Sequence, residues 1–217
     1  MTKPLFIARQ SRHPHGLIGW IVARVMERET FRDNEPAIEL LNPAPTDTVL
    51  DLGAGHGRSL SLLARYAVRG AVIGIDPSEV MVRRARQRNK MAIAAGRVRV
   101  EQAAGPALPL ADASVDKAMT VHTVYFWDSV AEHFTAIARV LKPGGRFVIG
   151  FVPAEDTVLT ARFPSAVYRF RSVKEIEAQL EKAGLRIDEI RRREGAGNTL
   201  VWIAAIKPTL DMSLKSN

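Results

Sequence analysis

Residues Val49 to Leu60 read VLDLGAGHGRSL: a short apolar run ends in an acid, three glycines follow within five positions, and a helix-like pattern begins. The apolar run reads as a short buried strand, a pattern that demands cover on both faces of a sheet. Glycine loses more backbone freedom on folding than any other residue. Gly53, Gly55 and Gly57 at the mouth of a strand therefore mark a place where something must approach the main chain closely.

Strand and helix signals alternate from there onward. TVLDLG is a strand, RSLSLLARYAV a helix and GAVIGID a second strand. Ser78 is placed to cap a helix running into the early nineties, with Val80, Met81, Ala85 and Ala92 facing inward. RVRVEQA and VDKAMTVH give the third and fourth strands. SVAEHFTAIARVL is helical, Lys142-Pro143-Gly144-Gly145 stops it, and RFVIGFV is the fifth strand. SVKEIEAQLEKAG is amphipathic and ends at Gly184, a C-terminal cap. LRIDEIRRRE and NTLVWIAAI then form a hairpin joined through Gly195 and Gly197. Strands separated by helices imply right-handed crossovers. The expected fold is α/β: a doubly wound, seven-stranded, mostly parallel sheet with helices on both faces and a C-terminal antiparallel hairpin.

At 217 residues the chain fits one domain with an appendage. The expected partition is an N-terminal helical lid segment over 1–45, a Rossmann-like domain over 46–210 and a flexible tail over 211–217. With no cysteine there is no disulfide, thiolate metal site or iron–sulfur cluster. No apolar stretch reaches the roughly 18 residues of a membrane span, and no secretory signal is read at the start, so a cytoplasmic protein is expected. His13 and His15 lack a convincing third ligand, and no metal is expected.

The formal net charge is +8, and nine basic residues against two acids fall between Arg65 and Arg99. Five of those cations lie in RRARQRNK, Arg83 to Lys90. A solvated helix face explains the run better than a phosphate-binding stripe, because no aromatics are interleaved for base stacking. Nucleic acid is a possible partner but not the favoured one.

In a doubly wound sheet, ligands sit beyond the carboxyl ends of the strands, where the strand order switches direction. Two ligand classes fit a glycine-rich turn there, dinucleotides and S-adenosylmethionine. The dinucleotide pattern G-x-G-x-x-G needs a glycine where this chain has Arg58, and no Gly-Lys-Ser/Thr follows to make a phosphate-binding P-loop.

DLGAGHG resembles the first motif of class I S-adenosylmethionine-dependent methyltransferases. Four more segments resemble the same family in the right order: VIGIDPSEVMVRRAR, LPLADASVDKAMTVHTVYFW, RVLKPGGRFVIGF and EIEAQLEKAGLRIDEI. The resemblance covers about residues 46–206. It implies S-adenosylmethionine as cofactor, with Asp76 at the ribose hydroxyls and Asp51 organising the glycine loop. The other expected contacts are Gly53, Ala54, Gly55, Gly57, Pro77, Met81, Ala103, Ala104 and Val121. Side chains at 53 and 55 would fill the space that the methionine end needs. The family often places an acid for the adenine amino group where Ala104 stands here, so adenine would rely on the main chain at Ala103 and Ala104 and on Met81. A helix N-cap role for Asp76 is compatible with ribose binding.

Methyl transfer from a sulfonium is an in-line displacement, so alignment carries most of the catalysis, on the order of 7–11 kcal/mol. A base is needed only where the acceptor loses a proton. The resemblance puts the acceptor site just after the fourth strand, with His122 and Tyr125 as catalytic candidates beside Thr123 and Trp127; His122 is equally readable as a pocket wall. The expected activity is methylation of a small molecule. The alternatives are an RNA, protein or lipid-headgroup acceptor, or a silent cofactor-binding domain. The apolar leader GLIGWIVARVM reads as a lid over the cleft, or as a basic amphipathic segment on an anionic membrane. Phe31, Phe163, Tyr168 and Phe170, with Trp20, are expected to share in that cover.

Overall fold

The computed structural model describes residues 2–12, 31–195 and 198–209. His13, His15, Trp20, Gly197 and the tail at 211–217 lie outside the described residues. Helices are α1 Leu5–Arg12, α2 Asn34–Leu41, α3 Arg58–Tyr66, α4 Glu79–Arg88, α5 Lys90–Ala94, α6 Val130–Val140, α7 Thr157–Thr160 and α8 Val173–Lys182. Strands are β1 Thr48–Leu52, β2 Ala71–Asp76, β3 Val98–Gln102, β4 Val115–Val121, β5 Leu141–Phe151, β6 Arg186–Arg193 and β7 Leu200–Ile206.

The strands form one seven-stranded sheet in the order β3-β2-β1-β4-β5-β7-β6. The first five pair in parallel, and β7 runs antiparallel to both β5 and β6. The reversed strand therefore lies inside the sheet, one place from its edge. The chain winds outward from β1 to β3 and then returns to place β4 beside β1. Right-handed crossovers in the two directions put α3 and α4 on one face and α6 and α8 on the other. Val49, Leu50, Val148 and Ile149 are fully buried, which is why these strands read as continuous apolar runs.

Three local departures have physical causes. The helix after β2 stops at Arg88 because Asn89 turns its amide inward, donating from Nδ2 to the carbonyls of Gly57 at 2.8 Å and Ala85 at 2.9 Å. In that helix Val82, rather than Val80, is buried with Met81 and Ala85. Strand β5 begins at Leu141, directly after α6, and its pairing with β4 jumps between Val115 and Lys117 as the Pro143-Gly144-Gly145 stretch bulges out.

Residues 34–41 belong to the domain rather than to a separate N-terminal segment. Ala37, Ile38, Leu40 and Leu41 bury one stripe of α2, which packs on β4, β5 and β7. Among the described residues no helix is long and apolar enough to cross a membrane.

Candidate active site

The turn after β1 lies at the crevice between β1 and β4, where the winding reverses. A cavity of about 450 Å³ opens there. Asp51, Gly53, Ala54, Gly55, Asp76, Pro77, Met81, Ala103, Ala104 and Val121 all line it. Gly57 does not.

The three glycines do three different things. At Gly53 (φ +80°) an added Cβ would collide with the Thr123 methyl, so this glycine makes room for the loop after β4. Thr123 is held by a 2.5 Å contact of its Oγ1 with Thr120 Oγ1, and Thr120 Oγ1 donates to Leu52 O at 2.7 Å. At Gly57 (φ +75°) a Cβ would lie 2.7 Å from Ala85 Cβ and 2.8 Å from Asn89 Nδ2. Gly57 lets α3 and α4 approach closely. Only Gly55 (φ +54°) faces open space, with nothing nearer than Gly53 O at 4.0 Å. Bulk at 55 would project into open space beside the turn, while bulk at 53 would strike Thr123.

Two buried carboxylates flank this turn. Asp51 Oδ2 accepts from Ser59 Oγ at 2.5 Å, which ties β1 to the first turn of α3. Burial pushes its pKa up to about 7, against the Ser59 bond and with help from the Asp76 charge. Asp76 Oδ2 accepts from Gly55 N at 2.9 Å and Oδ1 from Ser78 N at 2.8 Å. Burial carries Asp76 up to about 6 despite both bonds. Each oxygen keeps a second lone pair for a further donor. Asp76 is not the helix cap: Ser78 takes that role, accepting from Met81 N.

Beyond β4 the two catalytic candidates differ in their access to the cavity. His122, at φ +59°, lines the cavity, but both ring nitrogens are engaged. Nε2 lies 2.8 Å from Asp33 Oδ2 and Nδ1 lies 3.0 Å from Tyr125 Oη. Tyr125 Oη also accepts from Val152 N at 2.6 Å. The ionised Asp33 can only accept, so Nε2 carries a proton, and in the neutral ring Nδ1 accepts from the Tyr125 hydroxyl. Arg193 Nη1 donates to the other Asp33 oxygen at 2.8 Å. Burial alone would raise the Asp33 carboxyl, but His122 and Arg193 hold it below its ordinary value. Tyr125 is fully enclosed and does not line the cavity; burial pushes its hydroxyl far above the ordinary range. The chain of hydrogen bonds from Arg193 to Val152 engages both ring nitrogens of His122 and the Tyr125 hydroxyl. These contacts put His122 in the cavity wall and Tyr125 directly behind it.

Tyr168 and Phe170 pack on Tyr125, Tyr168 also on Phe126, and Phe163 packs on Tyr168, at ring separations of 4.8 to 6.0 Å. They back the wall rather than face the cavity. Of this cluster Phe126 lines the cavity. At the N-terminus, Lys3 N donates to Arg162 O at 2.7 Å, and α1 brings Ser11 and Arg12 to the cavity mouth. Arg12 Nη2 stands 3.4 Å from Asp128 Oδ1, and Arg169 Nη1 stands 3.0 Å from the same oxygen.

Sequence reasoning missed His133, whose signal was slight: a histidine within an amphipathic helix. It lines the cavity, stacks on Trp127 at 4.3 Å and 6°, and its Nδ1 lies 2.7 Å from Ser129 O. The Arg83–Lys90 run does not reach the cavity. Arg83 pairs with Glu79 on the surface, and Arg86 donates to Val100 O. Among the described residues no group of three or more His, Asp or Glu is placed to hold a metal ion.

A family profile described as "Methyltransferase domain" matches residues 50–149. An O-methyltransferase of Penicillium expansum is 31% identical over 160 residues, covering 69% of this chain and 56% of that protein. The 27-O-demethylrifamycin SV methyltransferase of Amycolatopsis mediterranei is 31% identical over 168 residues, covering 74% and 61%. The chain spans about half the length of the curated relatives it matches. In fold it is similar to a chain from the complex between the Haloferax volcanii Trm112 methyltransferase activator and a methyltransferase: TM-score 0.77, 21% identity, 96% of this chain and 100% of that one.

Proposed function

The chain belongs to the class I S-adenosylmethionine-dependent methyltransferase family, and from that premise we propose that it transfers a methyl group from S-adenosylmethionine to a small-molecule acceptor by in-line displacement. One observation carries the reading: a single cavity at the β1/β4 switch point gathers every expected cofactor residue except Gly57.

The residues fit that cofactor. Gly55 leaves open space beside the main chain for the methionine end. Asp76 has lone pairs for the ribose hydroxyls, and its raised pKa marks a buried carboxylate that gains from two such donors. Ala103 and Ala104 with Met81 would hold the adenine. The cofactor supplies an activated methyl on a sulfonium, so the chain's own task is to bind, align and exclude water. Ser11 and Arg12 of α1 would close the mouth from one side, which makes residues 5–12 the part of the leader favoured as a lid. The small-molecule reading is supported by the aromatic wall at Phe126 and Trp127 and by the relative named for methylating 27-O-demethylrifamycin SV. A macromolecular acceptor is less favoured because the cationic run of α4 lies away from the cavity.

Calorimetry tests the reading directly. S-adenosylmethionine and S-adenosylhomocysteine should bind, and NAD should not. Binding of NAD with equal or greater affinity would overturn it. Labelled methyl transfer onto metabolite, lipid and RNA fractions then identifies the acceptor class.

A further inference from the structure

Three histidines line the cavity among the described residues: His56, His122 and His133. His56 Nδ1 accepts from Arg58 N at 3.2 Å, and both nitrogens of His122 are engaged. His133 differs. It sits on the first turns of α6, and its Nδ1 lies 2.7 Å from the Ser129 carbonyl one turn back. A carbonyl only accepts, so Nδ1 carries the proton and Nε2 keeps its lone pair. Nε2 sits on the opposite side of the ring, has no hydrogen-bond partner among the described residues, and is not one of the sealed-off polar atoms. The ring is clamped flat against Trp127, itself a wall of the cavity.

We propose that His133 Nε2 accepts the proton of the methyl acceptor, and that this acceptor is a small molecule whose reacting group is a phenolic hydroxyl lodged beside Trp127. The inference rests on the methyltransferase reading above. A carbonyl fixing Nδ1–H while Nε2 faces the reacting group is the arrangement of a general base whose tautomer is set by a third group. Burial holds the ring below the ordinary histidine range, outweighing the Ser129 carbonyl and the Glu132 and Asp128 charges that pull the other way. The imidazole is thus neutral and ready at neutral pH. It is a weak base, matched to a phenol rather than to an aliphatic alcohol, and a neutral amine would need no base to attack. The acceptor oxygen bonds to the methyl carbon as the carbon–sulfur pair passes to sulfur, and the hydroxyl proton moves to Nε2. The resulting imidazolium is met by the Ser129 carbonyl and faces Glu132 and Asp128. Two cations, Arg12 of α1 and Arg169, pair with that Asp128.

His133→Asn keeps a donor where Nδ1 stands and deletes Nε2; His133→Gln is the reverse control. Nitrogen NMR of the full chain should show the Nδ1–H tautomer of His133 at neutral pH, with an apparent pKa below 6.5. Added phenol should shift the Nε2 resonance, and anisole, which has no proton to give, should not. In His133→Asn, loss of the Trp127 stack should lower the melting temperature by a few degrees, but the chain should stay folded with wild-type S-adenosylhomocysteine affinity, while the preference for phenol over anisole falls at least about ten-fold. In a labelled-transfer screen of phenols, alcohols and amines, phenols should be methylated and kcat should drop about 10²-fold in His133→Asn, with KM for the cofactor unchanged. An Nε2–H tautomer, an unchanged phenol preference in the variant, or transfer confined to amines would overturn the assignment. Failure to bind S-adenosylhomocysteine sinks the methyltransferase reading instead, and the phenol measurement separates the two.

Discussion

Asp33 and His122, 89 positions apart in sequence, are joined by a 2.8 Å hydrogen bond at the edge of the cavity. Asp33 sits just before α2, and its main-chain carbonyl also accepts from Trp202 Nε1 at 2.9 Å on β7. One residue thus pins the segment before α2 to both β4 and β7. Asp33→Ala leaves His122 and Arg193 without their acceptor. Breaking a buried pair costs about 3–5 kcal/mol, and the partial exposure of Arg193 reduces that to roughly 2–3 kcal/mol. Urea denaturation should show this loss with cofactor affinity changed only a few-fold. Wild-type stability in Asp33→Ala would refute the pinning role.

Gly55 and Gly57 should respond oppositely to alanine. Gly57→Ala forces a methyl against Ala85 and Asn89 in a left-handed conformation, so stability should fall by about 2–4 kcal/mol through overpacking and strain. Gly55→Ala meets no neighbour, so stability should fall by only about 1 kcal/mol. Cofactor affinity should drop more than ten-fold. Paired melting and calorimetry on the two variants check this; equal affinity losses per unit of stability lost would contradict the division of roles.

Asp51 and Asp76 hold protons in the fold up to about pH 7 and about pH 6, against an ordinary value of 3.8. Between these limits the folded chain binds more protons than the unfolded one. The stability this supplies is fully present below about pH 4 and is lost as pH rises through 6 and 7. Ligand hydroxyls donating to Asp76 favour the ionised form. S-adenosylhomocysteine should therefore bind about ten-fold more tightly at pH 8 than at pH 5, releasing protons measurable in buffers of different ionisation enthalpy. Asp76→Asn should flatten the dependence. A pH-independent affinity in the wild type would count against Asp76 as a ligand contact.

Arg12 and Asp128 form an exposed pair at the cavity mouth, worth less than about 1 kcal/mol to stability. Arg12→Ala should leave the melting temperature within about 2 °C. If α1 closes the mouth, the variant should release bound S-adenosylhomocysteine faster, and deletion of residues 1–12 faster still, as read by stopped-flow fluorescence. Unchanged release in the deletion would show that α1 is not part of the cover.

The sheet was legible in the sequence because β1, β2 and β7 are buried on both faces and read as apolar runs, while β3 alternates. Asp51, Asp76 and the glycine turn were legible too, since strand ends and positive-φ turns restrict residue type locally. What the sequence could not divide was the glycine cluster: the neighbours that decide Gly53 and Gly57 are Thr123, Ala85 and Asn89, brought there only by β4 and α4. Histidine posed the same problem. His122 follows a strand end and looked reactive, but Asp33 and Tyr125 consume its nitrogens. His133 looked like part of a helix face, yet the packing of α6 stacks it on Trp127 at the cavity with one lone pair left over. Local chemistry sets which residues are able to bind or react; the long-range partners that occupy or spare their polar atoms exist only once the sheet has closed.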